Sequence, residues 1–513
     1  MEDAYGFAIW MPHCTADRMD FQDLEIHGSL HLQEAQLRGS LTGSRMKIQK
    51  PRGGVAVNLD QCSIGGRLDL SSAELQGVTR LIGSKLSGQL DLSDARLVRH
   101  TSDRTLVLDG ATIAGGMFAS KLRSEGCISA IGLRLDGQLI MKQARLSNAG
   151  KTTLILDSAS VQFGWFASDL ESLGELRAVD SVFAGAVNFS GASLESDDDA
   201  LSLNRSTIRG QFTGAEMKIR GRLGAPRATF SNSLRLTSAN LSSGGAGVAL
   251  DLTGASIREL RYPTSHPSGQ VSLRDCSVDV LYLPRQGGDV SQSAILLQGW
   301  KIKDIAGAYR NKPRLVAGWL LRARDIHSKG FPLQPWLEIA AVYERNGQPA
   351  DARWLRWRAA RHLTRQSPGT SRIFPTIYGW LTGHGYYPLA AAVWLLVAFF
   401  VSFVLALTFK EVFIPTATNR AQFAATVEST EYGPITGAVA CEDLTRPTDC
   451  FRPVLFALDT VLPVASSTGQ ATEWRPYGEG GAWLSLTLSG LRIFSWLLVV
   501  ILLAGITGLL RKD

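Results

Sequence analysis

From about Gln33 to Leu283 the chain repeats one short pattern: a small residue, any residue, then a large aliphatic. Ala35-Gln-Leu37, Ala73-Glu-Leu75, Ala95-Arg-Leu97, Ala144-Arg-Leu146, Ala192-Ser-Leu194 and Ala239-Asn-Leu241 are examples. A longer period lies over it. Ile64, Ile113, Val161, Ile208 and Ile257 follow one another at 49, 48, 47 and 49 residues. Leu97, Leu146, Leu194 and Leu241 keep nearly the same interval, as do Leu75, Leu122, Leu170 and Met217. Self-similarity at a fixed period means stacked units, each burying its apolar face only against its neighbours. The apolar runs are short, broken by Gly, Ser and Asp, and carry no helical stripe, so the units are strands and turns. A unit of about 48 residues supplies two coils of a β-helix. The expected fold class is mainly β: a right-handed β-solenoid, followed by a short α-helical bridge and two transmembrane helices.

These motifs resemble the pentapeptide-repeat and right-handed β-helix families, although spacings of 9, 11, 13 and 16 residues depart from a strict five-residue period. Two segments imitate nucleotide sites. Asn148-Ala-Gly-Lys-Thr152 looks like the end of a P-loop, but Arg145 stands where that loop needs glycine. Gly245-Ala-Gly247 lacks its third glycine, since Leu250 occupies that position. Neither opens a helix in a βαβ unit, so the anion-binding helix N-terminus is missing. Cys14, Cys62, Cys127 and Cys276 are scattered singly and read as small core residues in a reducing compartment.

Beyond Leu283 the alternation is lost. Pro335 to Tyr343, Gly347, and Ala350 to Leu363 read as helix, turn, helix, a hairpin of tetratricopeptide type that suits an adaptor between solenoid and membrane. Lys301 to Arg372 holds 15 basic and 5 acidic residues. Arg353, Arg356, Arg358, Arg361 and Arg365 fall within one helix length. Trp354 and Trp357 between them would suit base stacking. However, a membrane span begins just beyond, and juxtamembrane cations are drawn to anionic lipid head groups. Lipid is therefore the expected partner, and nucleic acid is not.

Pro388 to Phe409 is 22 uncharged residues, and Leu491 to Leu510 is 20 with only Arg492. Each is long enough for about 30 Å of hydrocarbon. Trp380, Tyr386, Tyr387 and Trp483 flank them as interfacial aromatics do. Lys410 to Thr487, between the spans, holds 5 basic and 9 acidic residues. The positive-inside rule then places both termini in the cytosol of a multi-pass inner-membrane protein, and the loop outside. The opening Met1-Glu-Asp-Ala-Tyr-Gly6 has no basic and apolar run of a cleaved signal, so the first span is expected to act as signal anchor. Cys441 and Cys450 would lie in the oxidising compartment at a spacing that permits a disulfide. Phe451 to Val464 is apolar but too short to cross. It is either an interfacial helix or a re-entrant segment. In the second case Asp459 would be a membrane-depth acid lining a pore, and that reading requires a homo-oligomer.

Pro335-Trp336, Ala340-Ala-Val-Tyr343, Gly347, Ala352-Arg353, Gly383-His-Gly-Tyr386, Leu458-Asp459, Leu462-Pro-Val464 and Gly505-Ile-Thr-Gly508 resemble a group of bacterial, especially actinobacterial, membrane proteins labelled membrane-associated oxidoreductases. The resemblance covers roughly residues 330–510 and implies a redox cofactor. Yet the sequence has no dinucleotide fingerprint, haem CxxCH or metal-spaced cysteine pair, so no cofactor, metal or catalytic residue is expected. The eight histidines do not cluster around a nucleophile.

Three function classes follow. They are a non-catalytic scaffold with an unknown protein partner on the solenoid face, an oligomeric two-span channel gated by the solenoid, and the oxidoreductase of the label. The expected divisions are 1–26, an N-terminal segment; 27–285, the solenoid; 286–385, the basic helical domain; 386–410, the first span; 411–487, the loop with segment 451–464; and 488–513, the second span and tail.

Overall fold

The computed structural model describes residues 8–244, 247–265, 267–283, 294–324, 331–366, 372–387, 389–416, 451–462, 469–477 and 481–506. The chain divides into two compact units, Met1–Leu355 and Arg356–Asp513.

The first unit is a solenoid of about 13 coils whose strands form two large parallel sheets of 20 and 22 strands. Its corners are β-turns. The Ala35 N–H donates to the Leu32 carbonyl at 3.0 Å, while Glu34 between them holds a left-handed φ of 58°. This is the type II pattern. The same turn recurs at Ser72, Asp94, Lys121 and Gln143, each followed by a buried residue: Ala73, Ala95, Leu122 and Ala144. The small-x-aliphatic motif is thus the exit of a turn. Its small residue tucks under the corner, and its aliphatic enters the stack two residues later.

Turns at Ser72, Gly83 and Asp94 are 11 residues apart, and those at Gly110, Lys121, Gly132 and Gln143 are as well. Between Asp94 and Gly110 the gap widens to 16. Coils consequently alternate in length, 22 residues from Ile26 to Ile48 and 27 from Ile48 to Leu75. Two coils make the 48-residue period.

The columns are in register from coil to coil. Ile64 pairs with Leu86, then Ile113, Leu135, Val161, Phe183 and Ile208, all buried. Each such side chain contributes about 1.5–3 kcal/mol by burial. Aromatic side chains fill the core further along, where Trp165 stacks on Phe183 at 5.6 Å and Phe189 stacks on Phe212 at 6.0 Å.

One alignment differs from the sequence reading. The equivalent of Leu75 two coils on is Ser124, because Leu75 pairs with Leu97 and Leu97 with Ser124. Leu122 is instead the counterpart of Ala73. The large and small side chains have exchanged places within the motif, so similar volume enters the core from the neighbouring position. Ser124 meets its hydrogen-bonding need inside, 2.7 Å from Thr105 Oγ1.

Parallel pairing begins at Ile9–Trp10, before residue 27, and continues through Lys301–Ala306 to Ala323–Arg324, beyond residue 285. The segment Asn148–Thr152 lies within one long strand, Arg145–Ile155, with no helix after it. Helices α1 (Pro313–Leu320) and α2 (Gln334–Arg345) close the C-terminal end of the stack. Tyr343 Oη donates to the Tyr309 carbonyl at 2.6 Å, and Asn346 Nδ2 donates to Asp304 at 2.7 Å. Arg345 donates to the Ile302 carbonyl at 2.8 Å, covering polar backbone of the last coil. Gly347, at φ 74°, makes the turn into α3 (Pro349–Gln366). The hairpin read from the sequence is present, and its α2 arm caps the solenoid.

The second unit holds α4 (Ile373–Thr382), α5 (Ala390–Thr408), α6 (Pro453–Val461), α7 (Gln470–Glu473) and α8 (Gly481–Ile506). Two of these, α5 and α8, are long and apolar enough to cross a membrane. An antiparallel pair, Phe413–Pro415 with Trp474–Pro476, ties the end of α5 to the approach to α8.

Candidate functional site

Apolar helices such as α5 and α8 place most of their side chains outward, so their buried positions mark the helix interface. Two clusters define it here. Ala406 on α5 and Leu484 and Leu488 on α8 gather with Phe413, Phe451 and Trp474. Further along, Leu395 and Ala398 on α5 gather with Leu498 on α8. Helix α6 joins both clusters, the first through Phe456 and the second through Val461. Between Ala406 and Ala398 a helix advances about 12 Å. Helix α6 therefore runs antiparallel to α5 and lies lengthwise against the pair. Its N-terminal end is pinned by aromatic packing, with Phe413 against Phe451 at 4.7 Å and against Phe456 at 4.9 Å.

This packing buries Asp459, which is only 4% exposed. Its Oδ2 accepts the Ala471 N–H at a long 3.4 Å, and its Oδ1 has no hydrogen-bond partner among the described residues. Two further polar side chains are buried along the same interface, and the sequence reading passed over them. Ser402 lies on α5 between Ala398 and Ala406, and Ser495 lies on α8 three residues before Leu498. Neither Oγ has a hydrogen-bond partner among the described residues. Nearby threonines do bond back to their own helices: Thr408 to Val404 at 2.7 Å, Thr460 to Phe456 at 2.8 Å and Thr487 to Trp483 at 2.7 Å. Unbonded oxygens in an apolar setting are costly. The signal available in the sequence was a lone serine inside each long apolar run.

The five arginines all lie on α3. Arg353, Arg361 and Arg365 are exposed, Arg356 and Arg358 are half-buried, and Ala352, Leu355 and Ala359 form the buried face. Arg361 lies over the Trp357 ring at 5.5 Å. Burial, followed by the charges of Arg358, Arg365 and Arg361, holds His362 below the usual imidazole range. Trp357 is engaged edge-on by Tyr387 at 6.2 Å. Cys441 and Cys450 lie outside the described residues. Among the described cysteines, Cys62, Cys127 and Cys276 are buried and Cys14 is half-buried, all as free thiols.

No group of three or more His, Cys, Asp or Glu positioned to hold a metal occurs among the described residues. No protein-family model, curated protein or solved structure matches this chain.

Proposed function

We propose that this protein is a membrane-held interaction platform, non-catalytic, with its solenoid in the cytosol. The observation that carries this reading is the pairing, in one chain, of an unbroken parallel stack of about 13 coils with two helices of membrane length. A solenoid offers an extended, rigid binding face. The arginines of α3, five residue positions in little more than three turns, supply contacts to anionic lipid head groups at about 1 kcal/mol each near the surface.

Both termini are cytosolic in this reading. A reporter fused after Asp513 and another inserted near Glu428 should therefore report opposite sides of the membrane. Both on one side would remove the two-span arrangement. Binding of the reconstituted protein to a cytosolic partner, lost when outward solenoid residues are changed and kept when α6 is changed, supports the platform directly.

A second reading is favoured by one feature, the lengthwise docking of α6 and the burial of Asp459. If α5 and α8 span the bilayer, α6 enters it from the outer side and ends near mid-depth, as a re-entrant segment does. An oligomer would then line a cation path with Asp459. Conductance across planar bilayers, altered by Asp459→Asn with assembly intact, supports this reading. A monomer in detergent removes it. The oxidoreductase class of the actinobacterial label ranks third, and a cofactor band in the absorbance spectrum of the purified protein would raise it.

A further inference from the structure

One outward column of the solenoid takes a single residue from each coil, in register: Glu25, Lys47, Glu74, Arg96, Arg123, Arg145 and Glu171. From Glu25 to Arg96 the charges alternate, which sets opposite signs on adjacent rungs. At Arg96 the alternation stops. Three arginines occupy successive rungs, spanning about 10 Å at the usual strand spacing.

The outer two are claimed. Arg96 pairs with Glu74 at 3.6 Å and Glu125 at 3.1 Å, and Arg145 pairs with Glu171 at 3.2 Å. Arg123, between them, has no ion pair among the described residues, and like charges flank it on both rungs. Lys121, at the adjoining turn, is exposed and likewise has no ion pair among the described residues. Like charges stacked on neighbouring rungs destabilise a sheet. Nothing in the coil geometry requires them, because other coils place Glu or Ser at the same point.

Arg123 and Lys121 line a trough of about 660 Å³. The turn row along it reads Ser72, Asp94, Lys121, Gln143, Asp169, so a cationic centre has an exposed carboxylate on either side along the solenoid axis. Apart from Ala73, the lining is polar or charged.

We propose that this trough binds a small phosphate monoester with a hydroxyl-bearing body, of the sugar-phosphate class, its phosphate held by Arg123 and Lys121. A guanidinium fork and an ammonium suit a compact dianion. The volume fits a small organic molecule and exceeds what bare phosphate needs. The polar lining suits hydroxyls, which donate to Asp94 and Asp169, and gives an aromatic ring little to pack on. The same two carboxylates repel any anion long enough to run past the centre, which disfavours nucleic acid and long polyphosphate. This assignment uses the solenoid alone and does not depend on whether α5 and α8 cross a membrane.

Calorimetric titration of the full chain in detergent, at low salt, tests it with four probes: glucose 6-phosphate, glucose, inorganic phosphate and long-chain polyphosphate. Glucose 6-phosphate should bind saturably with a Kd on the order of 1 mM or tighter, weakening as salt rises. Glucose should give no signal, and inorganic phosphate should bind more weakly than the ester. The double variant Arg123→Gln/Lys121→Gln should lose about tenfold or more in affinity, since charge-assisted hydrogen bonds are removed. Arg123→Lys should retain part of it. Both side chains are exposed, so an unchanged melting curve confirms that the coil is intact, and Arg209→Gln, at an exposed site on another coil, should bind normally. Absence of saturable glucose 6-phosphate binding, or equal binding by the double variant, overturns the site. Equal affinity for inorganic phosphate, or tighter binding of polyphosphate, overturns the ligand class.

Discussion

Gly137→Ala adds one methyl group to a half-buried corner and tests how tightly adjacent coils are locked. A Cβ built at Gly137 lies 2.3 Å from the Gly115 carbonyl oxygen, 2.4 Å from its carbon and 2.5 Å from the Gly116 Cα. All three are backbone atoms of the preceding coil, so no side-chain rotation relieves the overlap. Gly115 meets Gly88 at 2.7 Å in the same way, and Gly88 meets Gly66 at 2.5 Å, which makes this a column where coils touch backbone to backbone.

Relief requires the coils to part by about 1 Å, the shortfall from normal contact. The bonds on either side, Asp136 N–H to Ile113 at 3.0 Å and Met117 N–H to Gln138 at 2.8 Å, would stretch out of range. Two weakened bonds at about 1 kcal/mol each, with overpacking strain of about 1–3 kcal/mol, give a cost of about 3–5 kcal/mol. Gly132→Ala is the control: its site has a φ of 66° and open space, so only the left-handed penalty of about 1–2 kcal/mol applies. Urea unfolding of the full chain, followed by circular dichroism, compares the two. Equal losses in both variants would refute the idea that backbone contact, and not turn conformation, sets the coil spacing.

Burial pushes the Cys62 and Cys127 thiols up to about 11 and Cys276 up to about 12. All three should resist a thiol reagent at pH 8 in the native protein and react on unfolding, and rapid native labelling would contradict their place in the core. Burial alone would raise the Asp69 carboxyl, but hydrogen bonds from Ser71 and the Arg67 charge outweigh it and hold the group below the usual range. A carboxylate depressed in the folded state contributes stability above its unfolded pKa of about 4, and that contribution fades as pH falls towards the folded value. Asp69→Asn should therefore flatten the acid limb of the stability curve, and an unchanged limb would show that other groups dominate it. Single cysteines at Leu455, Asp459 and Leu462, with Cys441 and Cys450 replaced, should show protection at position 459 from an impermeant thiol reagent. Uniform rapid labelling at all three would be incompatible with α6 buried against α5 and α8.

The coil architecture was legible because Ile64, Ile113, Val161, Ile208 and Ile257 are interior in every second coil, and period survives imperfect motifs. Its ends were not. In the first coils Leu24 and in the last coils Trp300 stand where the motif has a small residue, so the pattern fades before the fold does. The turns were hidden for a related reason. Glu34, Gln61, Lys121 and Gln143 hold positive φ without being glycine or asparagine, the residues that normally announce such turns. In the helical unit, composition located α5 and α8, but the placement of α6 depends on Phe413 and Trp474, far from it in sequence. A local reading had no means to choose between lying flat and docking. The arginine column became visible only once register set Arg96, Arg123 and Arg145 on consecutive rungs.

The alternation of 22- and 27-residue coils also bears on how the chain reaches its native state. Most sheet proteins must close long loops before distant strands reward them, and they fold slowly for that reason. Here a strand's partners stand one coil away along the chain, so its contacts are as local as those of a helical bundle. Relative to a stack of some 300 residues, that separation is on the order of 0.1, a value associated with fast folding. A solenoid emerging from the ribosome can therefore add each coil to the one already formed, using the open edge at its growing end as the template.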